Sequence, residues 1–132
     1  MGGRVTVPGG GPDLGVVTSH LTYVGRRQRQ AQVMALARLA SGLGEPVVVT
    51  GDFNAPLDAA ELAPIASSFE DAFGAAGLGI DDPRRHTWGP SAIDHILTRG
   101  LRTLHCRVVA EAGTASDHLP VVADLVQTSE SA

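Results

Sequence analysis

The sequence contains no lysine. All ten basic residues are arginine, set against fourteen acidic ones, and the net charge is −4. That balance excludes a sequence-blind nucleic-acid binder held by bulk charge, although it leaves room for a local basic patch. Arginine is also the better bidentate ligand for phosphate. There is one cysteine, Cys106, which excludes an internal disulfide framework and a multi-cysteine zinc site. Its apolar neighbours suit a small hydrophobe in the core. No apolar run is long enough to cross a membrane and no signal-peptide pattern is present, so the expected location is cytoplasmic. The opening Met1–Thr6 fits the N-myristoylation pattern, which is short and loose enough to arise by chance. Also missing is any glutamate before Glu45, and that absence matters below.

What is present suits one globular domain. The chain has 132 residues, 43% hydrophobic and 18% charged, enough to bury a core. The organising stretch is Val47-Val48-Val49-Thr50-Gly51-Asp52-Phe53-Asn54-Ala55-Pro56. Three valines predict a short buried strand, and Gly-Asp-Phe-Asn ends it abruptly. Asp52 and Asn54, two apart, leave the strand toward the same side. A carboxylate beside an amide can hold a water or a cation against a phosphate. The same pair can also simply close an Asx turn.

Around this stretch the pattern predicts a strand at Val5–Val7, a glycine-rich hairpin loop over Pro8–Pro12 and a returning strand at Leu14–Thr18 that delivers His20. A helix is expected from Gly25 to about Ser41, with Val33, Leu36, Ala37, Ala40 and Leu43 facing the core. Arg26, Arg27 and Arg29 crowd its first turns against the helix dipole and are read as a solvated face, with a face toward a polyanion as the alternative. Asp58 and Glu61 have the spacing of a capping box for a short helix limited by Pro64. Phe69–Phe73 reads as packing around Asp71, and Gly77–Arg85 as a loop. Strands are expected at His86–Trp88, with Trp88 in the core or, as the alternative, on a site wall, and at Ala92–Thr98. A further pair follows, Leu101–Val109 and Leu119–Val126, with residues 127–132 as a disordered tail. Ionisable residues gather where strands begin or end, the usual place for chemistry in α/β enzymes.

Four sites then stand in order: His20 in Thr-Ser-His-Leu, Asp52 and Asn54 in Gly-Asp-Phe-Asn-Ala-Pro, Asp94 in Ile-Asp-His-Ile, and Asp117-His118 in Ser-Asp-His-Leu-Pro-Val. With these neighbours, the chain from about Val5 to Val126 resembles the endonuclease/exonuclease/phosphatase superfamily. The resemblance implies an α/β (α+β) fold, namely a partial two-sheet β-sandwich flanked by helices in a deoxyribonuclease-like four-layer architecture. It implies phosphoester hydrolysis with Mg²⁺ or Mn²⁺. It also implies roles: Asp52 orients or deprotonates the attacking water, Asn54 contacts the phosphate or the metal shell, and His118 supports the phosphate. Asp94 sets the His118 tautomer, Asp117 is a metal-site carboxylate with Asp52 and Asn54, and His20 is a second phosphate-contacting histidine. His95, on the opposite strand face from Asp94, is a packing or surface residue.

The chain departs from the family in two ways. Family members are longer, and their first half supplies an early Asn and a Glu that is the main metal ligand. Here Asp13 lies in the glycine loop and no Glu precedes Glu45. Ala92 also stands where an Arg is common. Residues 1–126 therefore read as the C-terminal half of the domain, with valine-rich sheet faces left wet unless a first-half partner or a second copy covers them. The alternative is a non-catalytic remnant or subunit. Nucleic acid, a phospholipid head group and a small phosphate ester all remain open as substrates.

Overall fold

The structure, a computed structural model, describes residues 1–128. Strand β1 (Gly2–Val5) pairs antiparallel with β2 (Leu14–His20), placing the glycine-rich loop at the hairpin end. The first strand thus shares only Val5 with the expected Val5–Val7: Thr6 and Val7 lie beyond its end, and the turn spans Pro8–Gly10. Helix α1 (Arg26–Gly42) crosses over to β3 (Val47–Asp52), which pairs parallel with β2. A 3-10 turn (Ala60–Leu62), α2 (Ala63–Ala66), the two-residue β4 (Glu70–Asp71) and α3 (Ala72–Ala75) follow. Next come β5 (Asp94–Arg99), β6 (Leu101–Val108) and β7 (Val121–Gln127). The larger sheet has the order β1-β2-β3-β5-β4, while β6 and β7 form a second sheet.

The two faces of the larger sheet have different partners, as the two-residue period of a strand requires. Val17, Val47, Val49 and Leu97 face α1, meeting Val33, Leu36 and Ala40 together with Phe53, Leu62 and Ile65. The alternating positions Val48 and Ile96 face the second sheet and α3, meeting Leu101, Cys106, Ala72 and Phe73. Each fully buried Val, Leu or Phe contributes about 1.5–3 kcal/mol. Two sheets flanked by helices are therefore present, and Cys106 is buried as expected. The expectation that inner-face valines lie wet is not met at Val48, only 8% exposed, because β6 and β7 cover it.

Other local expectations are corrected. The residues 86–88 form no strand. Thr87 and Trp88 donate their N–H groups to Ser91 O in a tight turn instead, and Trp88 is 45% exposed rather than in the core. Asp58 and Glu61 form no capping box: the 3-10 turn starts without a side-chain cap, and Glu61 is buried against α1. Its Oε1 accepts from Arg29 Nη2 at 2.7 Å, and Arg26 Nε lies 3.4 Å from Oε2. The arginines of the first helical turn are thus not all solvated, and a carboxylate offsets their clash with the dipole. Asp71 caps α3, accepting from Phe73 N and Gly74 N. It also pairs at 2.9 Å with Arg85, whose guanidinium is buried over the Phe73 ring. β7 extends to Gln127, one residue into the expected tail, and Gln127 Nε2 donates to Pro12 O. Residues 129–132 lie outside the described residues.

Candidate phosphoester site

Three strands place the site. His20 ends β2, Asp52 ends β3 and Asp94 begins β5, and the register pairs His20 with Asp52 and Asp52 with Asp94. These residues share parity with Val16, Val48 and Ile96, so the row stands on the face that meets the second sheet. Gly51 makes the row possible. Its φ is +152°, and a Cβ there would lie 1.8 Å from Ser19 O, so only glycine lets β2 approach β3 at this point.

Beyond β3 the chain turns through Asn54, at φ +52°, a left-handed conformation that Asn tolerates better than most residues. Asn54 N donates to Asp52 Oδ1 at 2.9 Å, and Asn54 Nδ2 donates to Leu21 O at 2.6 Å. The Asx turn is therefore real. It fixes one carboxylate oxygen of Asp52, and Oδ2 is the one that meets the two imidazoles.

His118 arrives from the loop before β7. Its Nδ1 donates to Asp94 Oδ2 at 2.7 Å, and its Nε2 lies 3.6 Å from Asp52 Oδ2. From the other side, His20 Nε2 lies 3.3 Å from the same Asp52 oxygen, with the His20 ring largely exposed. The hydrogen bond from Nδ1 to the Asp94 carboxylate raises the His118 pKa above the usual imidazole value. Partial burial opposes this shift, and the negative charges of Asp94, Asp52 and Asp117 add to it. Thr87 braces both partners. Its carbonyl accepts from Leu119 N at 2.8 Å, beside His118, and its hydroxyl accepts from Asp94 N at 3.3 Å.

All six expected site residues line one pocket of about 740 Å³: His20, Asp52, Asn54, Asp94, Asp117 and His118. Oxygen and nitrogen atoms of Asp52, Asp94 and His118 lie within 4.8 Å of one another. The imidazole is committed to Asp94, so this trio is a hydrogen-bonded cluster more than a coordination shell. The donors that remain, Asp52 Oδ2 and the amide oxygen of Asn54, are hard oxygens of the kind that suit Mg²⁺ or Mn²⁺. Asp117 stands in the pocket wall, outside that trio and exposed. His95 is buried, tilted against the Phe53 ring, with Nε2 at 2.9 Å from Ala55 O. Burial lowers its pKa, so it packs as a neutral ring.

Sequence reasoning passed over Tyr23 and Ser91, which also line the pocket, and the brace at Thr87. It also missed the Arg29–Glu61 pair. Only the Ser-turn after Trp88 carried a local signal.

The model of the Endonuclease/Exonuclease/phosphatase family matches residues 2–118. The chain belongs to this family. None of the curated proteins matches it. Among solved structures, it is similar to an endonuclease/exonuclease/phosphatase from Bacteroides vulgatus, with 27% identity, a TM-score of 0.71, and coverage of 88% of this chain and 50% of that one. It is also similar to the mannosyl-6-phosphatase Bt3783 of Bacteroides thetaiotaomicron VPI-5482, with 21% identity, a TM-score of 0.72, and coverage of 86% and 51%. A third likeness is to D. rerio TDP2 complexed with single strand DNA product, with 20% identity, a TM-score of 0.75, and coverage of 96% and 60%. This family member thus spans about half the length of the first two and somewhat more of the third. No helix among its described residues is long and apolar enough to cross a membrane.

Proposed function

We propose that the chain carries the water-activating and phosphate-binding side of a divalent-metal-dependent phosphoester hydrolase. The observation that carries this reading is the Asp52 carboxylate, held between two imidazoles with Asp94 behind one of them. The fit to Mg²⁺ or Mn²⁺ rests on Asp52 and Asn54, with Asp117 at the rim. Such an ion would supply charge neutralisation at the phosphoryl oxygens.

The chain's own residues account for the proton and the geometry. A water beside Asp52 Oδ2 gives its proton to that oxygen as its own oxygen bonds to phosphorus. In the same step the opposite phosphorus–oxygen bond breaks, and the leaving oxygen is protonated from solvent. His118, protonated over a wider pH range because Asp94 accepts from Nδ1, offers Nε2–H to a phosphoryl oxygen as charge builds there. His20 offers a second imidazole on the opposite side. Asn54 keeps Asp52 in one rotamer through the turn.

One observation supports the reading of a part that other residues complete. The site holds few oxygen ligands, and an ion held by so few keeps most of its waters and binds weakly. In that reading a first-half segment or a second copy supplies the remaining acid. Turnover by the chain alone is then slow.

The test is hydrolysis of bis-p-nitrophenyl phosphate in millimolar Mg²⁺, beside inorganic phosphate binding followed by ³¹P NMR. Asp52→Asn should lower any Mg²⁺-dependent turnover by at least about 10², and His118→Ala should weaken phosphate binding. Unchanged turnover in the first variant, or no phosphate binding by the wild type, would overturn the assignment.

A further inference from the structure

Thr87 stands behind the pocket wall, only 1% exposed, and two anchors fix its position. Two residues earlier, the buried Arg85 donates from Nη1 to Leu78 O at 3.1 Å, with an Asp71 carboxylate oxygen 2.9 Å away. Four residues later, Ser91 O accepts from Thr87 N at 2.9 Å. Threonine is branched at Cβ, which restricts χ1 and lets a packed side chain keep its hydroxyl in one direction.

From this position Thr87 reaches to both sides of the His118–Asp94 pair. Its Oγ1 accepts from Ile93 N at 3.4 Å and from Asp94 N at 3.3 Å, where β5 begins. Its carbonyl accepts at 2.8 Å from the N–H of Leu119, the residue after His118. One residue thus ties down the backbone on either side of the 2.7 Å bond from His118 Nδ1 to Asp94 Oδ2. A charge-assisted bond of that length weakens steeply once its partners leave alignment.

The hydroxyl is the separable part of this brace. The backbone contacts to Ser91 and Leu119 survive any side chain of the same shape, whereas the amides of Ile93 and Asp94 need an oxygen. Valine has the shape of threonine and offers them none. Two half-buried N–H groups left without an acceptor are costly. Aspartate side chains readily turn back to accept from nearby backbone N–H groups, and Asp94 can do so only by leaving His118.

We propose that Thr87 is a positioning residue for the phosphoester site, its hydroxyl keeping the Asp94 carboxylate turned to His118 so that Nε2 of the ring faces the phosphate. This rests on the phosphate-binding reading above and adds to it a residue that touches no substrate.

The experiment uses the metal-free chain labelled with ¹⁵N, with the His118 ring assigned by its loss in His118→Ala. In alkaline buffer the ring is neutral, and its nitrogen shifts report which nitrogen carries the proton. In the wild type this is Nδ1, because Asp94 accepts from it, whereas a free histidine side chain prefers Nε2. Thr87→Val should move the ring toward the Nε2–H form, and Thr87→Ser, which restores the oxygen, should return it. Near neutral pH, Thr87→Val should also weaken inorganic phosphate binding, followed by ³¹P NMR, by about fivefold, the scale of one hydrogen bond. Thr87→Ser should recover most of that affinity. A purely structural role would lower the urea midpoint of Thr87→Val and leave the tautomer where it was. An unmoved tautomer, or an unchanged phosphate affinity beside a moved one, would overturn the proposal and leave the phosphate site standing. If the wild type binds no phosphate, the phosphate-binding reading fails and the role of Thr87 falls with it. Should Thr87→Val not fold, Thr87→Ala is read against Thr87→Ser by the same two measurements.

Discussion

His118 Nδ1 donates to Asp94 Oδ2 at 2.7 Å across 24 positions of sequence, and the hydrogen bond joins the two sheets. Asp94 opens a strand of the larger sheet, whereas His118 stands in the loop that leads into the smaller one. The contact therefore closes the site and also pins one layer to the other.

The first prediction concerns this pair as a unit. Asp94→Asn should bring the His118 pKa down toward the ordinary imidazole value, because the ionised carboxylate is the main cause of its rise. Titration of the His118 ring by NMR reads this directly. In folding stability, a raised histidine pKa contributes fully below the unfolded value and is lost as pH rises through the folded one. In metal-free buffer, the stability difference between wild type and His118→Ala should therefore be full below the ordinary imidazole pKa and shrink as pH rises through the raised value. Urea unfolding at several pH values, with Asp94→Asn in both backgrounds, tests it. Strictly additive losses would mean the two residues do not act together.

Gly51→Ala should be among the most damaging single-methyl changes in the chain. The added Cβ would meet Ser19 O at 1.8 Å, a backbone atom that can move only by parting β2 from β3. We expect at least about 3 kcal/mol lost, since a strained backbone alone costs on the order of 1–3 kcal/mol. Phosphate binding should weaken with it, because the same shift separates His20 from Asp52. An unfolding midpoint near that of the wild type would show that the strands can part cheaply.

Glu61→Gln leaves Arg29 and Arg26 without their carboxylate at the start of α1. Losing a charged, part-buried hydrogen-bond partner typically costs about 1.5–3 kcal/mol. Hydrogen bonding to Arg29 holds the Glu61 pKa below the usual carboxylate value. Its contribution is therefore present above the unfolded pKa and is lost as pH falls through the folded one. The stability gap between wild type and Glu61→Gln should close in acid, and a gap that stayed constant with pH would contradict the pairing.

Cys106 should be slow to alkylate in the native chain. Burial is the main cause of a thiol pKa pushed up to about 11, with the negative charge of Asp71 adding to it, and the thiolate is the nucleophile. Stability linked to this thiol is unchanged below the ordinary thiol pKa and falls as pH rises from there toward about 11. Iodoacetamide labelling near neutral pH should lag well behind free cysteine and match it in urea. Equal native and unfolded rates would place the thiol at the surface.

The sequence alone carried the organising strand, the crossover helix and the residues around the site, because each leaves a local signature. Val47–Val49 can only be a buried strand, Val33, Leu36 and Ala40 repeat at helical spacing, and the two motifs around Asp52 and His118 are contiguous. The alternation of Asp94 and His95 was enough to put them on opposite strand faces, and only the fold decided that the second is buried. What the sequence did not carry depends on contacts between distant segments. Glu61 has the spacing of a capping residue, and only the fold brings Arg29 over it. Thr87 and Trp88 have the composition of a strand, yet a turn around Ser91 makes one a brace and the other a pocket wall. The row His20–Asp52–Asp94 is a matter of register across three strands, and register is decided by which faces the helix and the second sheet bury.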